Sequence, residues 1–567
     1  MRWIPVTMHT SCQRFSESTP GRIPLPSSSA MKNAYDYIVV GSGINSLCCA
    51  ALLAKAGHSV CVLERNDYLG GCIKTAEITE KGFRHDVLSG WHPLFVTSPG
   101  YAVLAADLER HGLVYLNTDK PTAVATSRGE SLVLSTSREK NISTFNSLCD
   151  GDGDRYAETM ADMERDAELT FSLLGNEILS LATLRLLWRE WRARGSAGLS
   201  LFAGEAMASS RDWLGQHFRS DLARALLAPW ILHTGLGPEA NFSGAMSRVI
   251  AFSLESAGMP VVKGGSDNLV KAFQGLIEEH GGELHVNCEV QRVAVERSRA
   301  QGVDCLQGPR SAMESRESVR IEARKAVICN VTPQQLYLSL LEPDWVPEPV
   351  RKQAEHFRFG NACMQIHLAL DRLPQWRDSE LDDVAMVHLS GGLDAVSLAV
   401  SQAECGLLPA EPTIVVAQPT VLDPSRAPEG KAILWIQLQE LPSTIRGDAA
   451  GQIEAPGDGQ WTQEIAERYA DRIVARISEH IPELVGSIRH RVVLSPKDLE
   501  SINVNLVGGD PYSGHCGMQQ FFLWRPLKAL KNHETPVRNL YHIGASTHPG
   551  PGLAGNSGYM VARGLLS

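Results

Sequence analysis

Apolar positions fall in short blocks whose period changes along the chain, and the changes mark elements. Residues 37–40 (Tyr-Ile-Val-Val) form an apolar, partly β-branched run that stops at Gly41, the pattern of a buried strand feeding a glycine turn. Residues 46–57 continue with apolar positions at helical spacing and a glycine stop, and residues 60–63 form a second strand-like run. That order predicts a βαβ unit opening a parallel sheet. From about residue 101 to 244 the pattern changes character, strongly helical over 162–194 and helical again over 211–232. Strand and helix alternation returns over 269–279, 283–295 and 325–329, whereas 301–318 is polar, carries Gly and Pro, and reads as a surface hairpin or loop. Runs at 414–418 and 433–438 predict strands of a second sheet, with a helix over 462–480. Residues 446–459, rich in Gly, Ala and Asp, read as a mobile linker between them. Near the end, 540–543 runs into Gly544 and repeats the strand, glycine turn, helix order.

The glycines give this pattern its chemistry. In Gly41-Ser42-Gly43-Ile44-Asn45-Ser46, Gly41 permits the tight turn out of the strand and Gly43 lets backbone amides approach a pyrophosphate at a helix N-terminus. Ser46 stands where a third glycine or alanine is usual and is small enough for close helix–strand packing. Glu64 ends the second strand, where a carboxylate accepts hydrogen bonds from an adenosine ribose. Arg65 follows it, and the pair Gly70-Gly71 offers a second close approach to a diphosphate, which favours FAD over a nicotinamide nucleotide.

Composition narrows the function. With 567 residues, 43% hydrophobic and 21% charged, the chain has material for two or more domains. A net charge of -11 argues against nucleic acid, and no apolar run is long enough for a membrane span. The 12 cysteines include no Cys-x-x-Cys, and no histidine spacing suits a ligand set, so no metal is expected. Residues 1–30 are rich in Ser, Thr and Pro, with three arginines and one acid. They fit a mitochondrial presequence, a disordered tail, or sequence upstream of a start at Met31, which leaves a cytoplasmic or mitochondrial location open.

The glycine motifs come with Gly90-Trp91-His92-Pro93-Leu94-Phe95, the segment Gly258-Met259-Pro260 through Lys263-Gly264-Gly265, and Gly544-Ala545-Ser546-Thr547-His548-Pro549-Gly550. On these marks the chain, from about residue 35 to 566, resembles the phytoene desaturase-related FAD oxidoreductases of the flavin amine oxidase-like superfamily. Its nearest likeness is to the subgroup called pyridine nucleotide-disulfide oxidoreductase domain-containing protein 2. The resemblance implies an α/β fold: a discontinuous, Rossmann-like FAD-binding domain over 34–100, 245–335 and 530–567, with an inserted α+β substrate domain. That second domain takes 101–244 and 336–529, its helical part near 155–235. The resemblance also places Val290 near the adenine and the last helix against the flavin, where Gly552 and Gly555 leave a helix N-terminus free to stabilise negative charge. No cysteine occupies 544–551, so the FAD is expected to be noncovalent.

Departures matter too. His548-Pro549-Gly550-Pro551 stands where amine oxidases carry an aromatic stretch, so half of an amine-binding cage is missing. No second nucleotide motif and no redox cysteine pair occurs, which excludes disulfide reduction despite the subgroup's name. His92, His233 and His515 sit beside glycines and aromatics and are the candidate acids or bases, against the alternative of packed, backbone-bonded rings. Residues 184–195 (LRLLWREWRARG) suit either a helix resting on a membrane surface or one whose apolar face packs inside. The expected activity is an FAD dehydrogenase or desaturase acting on C–H bonds of a lipophilic small molecule. An amine oxidase and a noncatalytic binding protein on the same fold are the alternatives.

Overall fold

The structure, a computed structural model, describes residues 31–312 and 315–567; the expectations for residues 1–30 lie outside them. Two seven-stranded sheets organise the chain. In the first, strand Ala34–Val40 lies between the parallel strands Val60–Leu63 and Glu317–Asn330, and Glu283–His285 extends the parallel set. The late strand Leu540–Ile543 pairs parallel with the end of Glu317–Asn330. One sheet thus gathers strands from three separated stretches of sequence. Helices Ile44–Lys55, Asp267–Glu279 and Asn556–Leu566 cover one face against Val60 and Val62, and a second cluster with Val293, Leu336 and Tyr337 covers Cys61 and Leu63 on the other, which explains why Val60–Leu63 is apolar at every position.

Of the two readings of the polar stretch 301–318, hairpin or loop, the structure has the hairpin, with a longer first strand than the sequence suggests. Arg299–Gln307 is a strand, antiparallel to both Cys288–Glu296 and the first half of Glu317–Asn330. Its polarity comes from a ribbon with one wet face: Val303 and Cys305 point into the core, while Asp304 points out and pairs with Arg292 and Arg320.

The second sheet runs in the order Ile488–Leu494, Ala362–Leu370, Ala432–Leu441, Ile414–Ala417, Met386–Leu389, Thr122–Ala125, Ser131–Leu134. Its last two strands come from the 101–244 stretch, ahead of the expected helices; four residues each are too few to give a clear strand pattern. Helix Gln463–Ser478 packs beneath the sheet. The expected helix over 162–194 is two, Asp152–Gly175 and Leu181–Ala206, with Ser180 capping the second. The expected helix over 211–232 is Ser210–His217, Asp221–Leu227 and a tighter turn Ala228–Thr234 with Pro229 as its second residue. Residues 446–459 are anchored rather than free. Asp448 accepts the amides of Gln452 and Ile453 and pairs with Arg472 at 2.6 Å, a carboxylate and guanidinium nearly out of solvent.

Candidate active site

The carboxyl ends of the first sheet's parallel strands open into a cavity of about 1440 Å³ that continues to the second sheet. Gly41, Ser42, Gly43, Asn45, Glu64, Arg65, Gly70, Gly71, Val290 and Gly552 line it. Gly43 caps helix Ile44–Lys55 with extended backbone and no side-chain capping bond, which leaves the first amides of the helix to a ligand. Gly71 faces this turn so closely that a Cβ on it would lie 3.2 Å from Gly43 Cα. Gly41 has φ +87°, a conformation that side chains other than glycine's rarely adopt.

Glu64 is buried, and its partners fix its position. Oε2 accepts Ser42 N–H at 3.0 Å and Ser42 Oγ–H at 2.6 Å, and Oε1 accepts Asn66 N–H at 2.9 Å. Burial raises its pKa above the ordinary carboxylate value, opposed by those hydrogen bonds. Oε1 keeps a lone pair for a ribose hydroxyl. Arg65 pairs with Glu289 at 3.2 Å, and its Nε is buried without a partner among the described residues, as is Asn556 Oδ1 at the start of the terminal helix.

Ser46, Gly544 and Gly555 stand behind the cavity wall. All three are organised around helix packing and a residue the motif reading missed, Asn330. Asn330 Nδ2–H donates to the buried Ser46 hydroxyl at 3.0 Å, and a Cβ on Gly544 would lie 2.3 Å from Asn330 Oδ1. Asn330 therefore joins the first and last glycine turns. Its signal in the sequence is its place, one residue beyond the 325–329 run, where a third strand ends at the same sheet edge. Gly555 caps the terminal helix at φ +71° with no side-chain cap.

The histidines separate. His92 lines the cavity; its Nδ1 lies 3.1 Å from Tyr115 Oη, its Nε2 is buried without a partner among the described residues, and burial lowers its pKa to about 4. His233 also lines the cavity. It stacks on Trp230, faces His388 Nε2 at 3.0 Å, and is lowered by burial to about 3. His515 does not line it. Its Nδ1 accepts Gly517 N–H at 3.0 Å, a turn-forming use of the ring. Among the described residues no group of acidic, Cys or His side chains has a metal-holding arrangement.

The sequence profile of the flavin containing amine oxidoreductases matches residues 47–555. The chain belongs to that family. It is an FAD-dependent oxidoreductase, and the uncapped helix ends, the facing glycine turns and the buried unpaired Arg65 and Asn556 atoms suit the cofactor. Similar proteins include the rat protein named pyridine nucleotide-disulfide oxidoreductase domain-containing protein 2, 28% identical over 96% of this chain and 95% of its own. A component of the limonene dehydrogenase of Castellaniella defragrans is 25% identical over 93% of this chain and 94% of its own. Among solved structures, an oxidoreductase from Methanosarcina mazei aligns with TM-score 0.58 at 15% identity, over 93% of this chain and 99% of its own. Putrescine oxidase bound to putrescine aligns at 0.56 and 16%, over 94% and 99%. These two share the fold.

Because Glu64 fixes the Ser42 turn and lines the cavity beside it, Glu64→Ala is expected to weaken FAD binding by about 1–3 kcal/mol, the cost of losing a charged hydrogen-bond partner. Titrating FAD into the apoprotein and following flavin fluorescence measures it. Wild-type affinity in the variant would mean the ribose lies elsewhere.

Proposed function

We propose that the chain is a dehydrogenase or desaturase that takes hydride from a C–H bond of a lipophilic small molecule. The observation that carries this reading is the lining of the cavity beyond the glycine turns. Trp91, Phe171, Leu236, Phe242, Val249 and Met259 present apolar surface there, and Arg65, at the nucleotide end, is the one Lys or Arg in the lining among the described residues. FAD, when bound, supplies the hydride acceptor. The protein's part is to exclude water and hold the substrate carbon in place. His92 and His233, kept neutral at physiological pH by burial, serve as neutral hydrogen-bonding groups in the wall rather than as stores for a proton. In this reading the first sheet with its helices is the FAD-binding part, over 34–100, 245–335 and 530–567, and the second sheet with the helical segment is the substrate part.

The names of the relatives support a nonpolar substrate: limonene for one, and phytoene for a Paracoccus desaturase 26% identical over 59% of this chain. Anaerobic mixing of the FAD-loaded protein with limonene, phytoene, putrescine and cyclohexylamine tests it. Bleaching of the oxidised flavin band by a hydrocarbon is the expected result. Bleaching by an amine alone would transfer the chain to the amine oxidases.

A specific observation favours a surface role for residues 184–195. Leu186 packs inside, but most of their large apolar side chains face out: Leu184 and Trp188 are 58% exposed and Trp191 is 51% exposed. Arg192 stacks on Trp188, leaving a helix with tryptophans and arginines on its outer side. No helix among the described residues is long and apolar enough to cross a membrane. We propose that this helix rests on anionic lipid. Trp188→Ala/Trp191→Ala is expected to reduce co-sedimentation with phosphatidylserine vesicles several-fold at unchanged FAD content. Equal sedimentation of both proteins would remove the proposal.

A further inference from the structure

Behind the last glycine turn lies a buried cation that the hydride reading leaves unused. Arg525 is 1% exposed, yet only a layer of backbone separates its guanidinium from the cavity. Nε and Nη2 donate to Ala545 O at 3.0 and 2.7 Å, and a Cβ on Gly550 would lie 3.8 Å from Nε. Ala545 and Gly550 both line the cavity, as does Phe521, whose ring the guanidinium faces at 5.7 Å.

Its other bonds go to Tyr512 O at 3.0 Å and His515 O at 3.3 Å, so these partners are all neutral carbonyls. Arg426, buried as deeply, is paired with two carboxylates, whereas no carboxylate bonds to Arg525 among the described residues. The acid of the same loop, Asp510, is spent on backbone: it accepts N–H from Gly360, Tyr512 and Gly514, each at 2.8 Å. Burial raises the Asp510 pKa above the ordinary carboxylate value, against those bonds. Burial lowers the Arg525 pKa, but a guanidinium stays protonated in proteins. A buried charge with no opposite charge paired to it is costly, and it suits a place where an opposite charge develops during function.

We infer that Arg525 is a positioning residue for charge: acting through the 544–552 turn, it stabilises the negative charge that reduction places on the flavin and so raises the flavin's potential. The inference rests on the reading that sets the flavin ring against the N-terminus of the terminal helix. A hydride carries two electrons and one proton, so the ring that accepts it gains one negative charge. In a site closed to water, a fixed cation behind the wall acts through a low dielectric and needs no contact with the ring. The uncapped amides of helix Asn556–Leu566 act in the same sense. Ser546 Oγ–H donates to Ser513 O at 2.7 Å, a bond that holds the turn on the 512–515 loop when the guanidinium is replaced.

The test is the midpoint potential of the FAD-loaded protein, measured by anaerobic reduction against a reference dye. Titrating the apoprotein with oxidised and with reduced FAD gives the same quantity where a variant binds loosely. Arg525→Gln and Arg525→Met remove the charge, the first keeping hydrogen bonding and the second bulk, while Arg525→Lys keeps the charge. Ala554 lines the cavity just before the Gly555 cap, so Ala554→Asp sets a negative charge beside the ring. The neutral variants are expected to weaken binding of reduced relative to oxidised FAD about tenfold, a fall of about 30 mV for this two-electron couple. Arg525→Lys is expected to keep most of the wild-type potential, and Ala554→Asp to lower it. A potential that Ala554→Asp lowers and the neutral variants leave unchanged would overturn the inference while the placement of the flavin stands. Equal falls in the Lys and neutral variants would also overturn it, since the loss then follows the hydrogen bonds and not the charge. A potential that none of the four moves would overturn the placement itself.

Discussion

Gly558→Ala is expected to cost about 3 kcal/mol or more of stability and most of the bound FAD. Gly558 lies in the first turns of the terminal helix Asn556–Leu566, where that helix crosses helix Ile44–Lys55. A Cβ at Gly558 would sit 1.8 Å from the carbonyl oxygen of Asn45 and 2.7 Å from its carbonyl carbon. Backbone cannot step aside as a flexible side chain can, so a single methyl must push the helices apart, and overpacking of this kind costs about 1–3 kcal/mol or more. The displaced Asn45 end of helix Ile44–Lys55 directly follows the Gly43 turn that packs on Gly71, so loss of FAD follows, and with it the stability that bound cofactor adds. Gly564→Ala on the same helix is the control: nothing lies within 4 Å of the new methyl, and alanine is the better helix former by about 1 kcal/mol. Thermal unfolding with and without added FAD, together with flavin content, separates the two. Equal midpoints for Gly558→Ala and wild type would mean the helices do not cross as closely as the structure places them.

This helix crossing was not legible in the sequence, although the nucleotide end of the site was. The turn Gly41–Gly43, Glu64 and Gly70-Gly71 rest on local rules: a strand's apolar run, the φ that only glycine tolerates, and the short reach of a βαβ unit. Such signals survive in a single sequence because each lies within some thirty residues of the next. Asn330 and Gly558 escape for the opposite reason. Each matters through a neighbour some 284 or 513 residues away, Ser46 and Asn45, and no local pattern records which asparagine or glycine will meet which turn. Polarity left the strand Arg299–Gln307 undecided between hairpin and loop, since a period-2 run with one wet face resembles either. His515 shows the converse limit. A histidine between glycines has the same look whether it faces a cofactor or closes a turn, and here it closes one with Gly517.

Replacing Arg426 tests how the two halves of the cavity are held together. Arg426 is fully buried, and its guanidinium donates to Asp423 Oδ2 at 2.8 Å, Asp86 Oδ2 at 2.9 Å and Val262 O at 2.9 Å. Asp423 also accepts Gly264 N–H at 2.6 Å, and Asp86 accepts Ser266 N–H at 2.9 Å. One cation thus ties the turn after strand Ile414–Ala417 to the segment before Gly90-Trp91-His92 and to the Gly264-Gly265 turn. Arg426→Met keeps the bulk and removes the charge, leaving two carboxylates buried without their cation, and is expected to cost on the order of 3–5 kcal/mol at neutral pH. The pH dependence identifies the cause. Burial acts to raise the Asp423 pKa, but hydrogen bonds from Ser425, Gly264 and Arg426 prevail and hold it below the usual carboxylate value. The wild-type contribution is therefore complete above the unfolded value of about 4 and is lost as pH falls through the depressed folded value. In the variant the stranded Asp423 carboxylate takes up its proton at higher pH than in the wild type, and a neutral acid is cheaper to bury than an ion. The stability gap between the two proteins should be widest near neutrality and narrow as the solution is acidified through the carboxylate range. Urea unfolding of both proteins at neutral pH and near pH 4, with m-values compared, measures it. A gap that stays constant would assign the loss to packing around the side chain, and no gap at all would show that the two halves do not depend on this ion cluster.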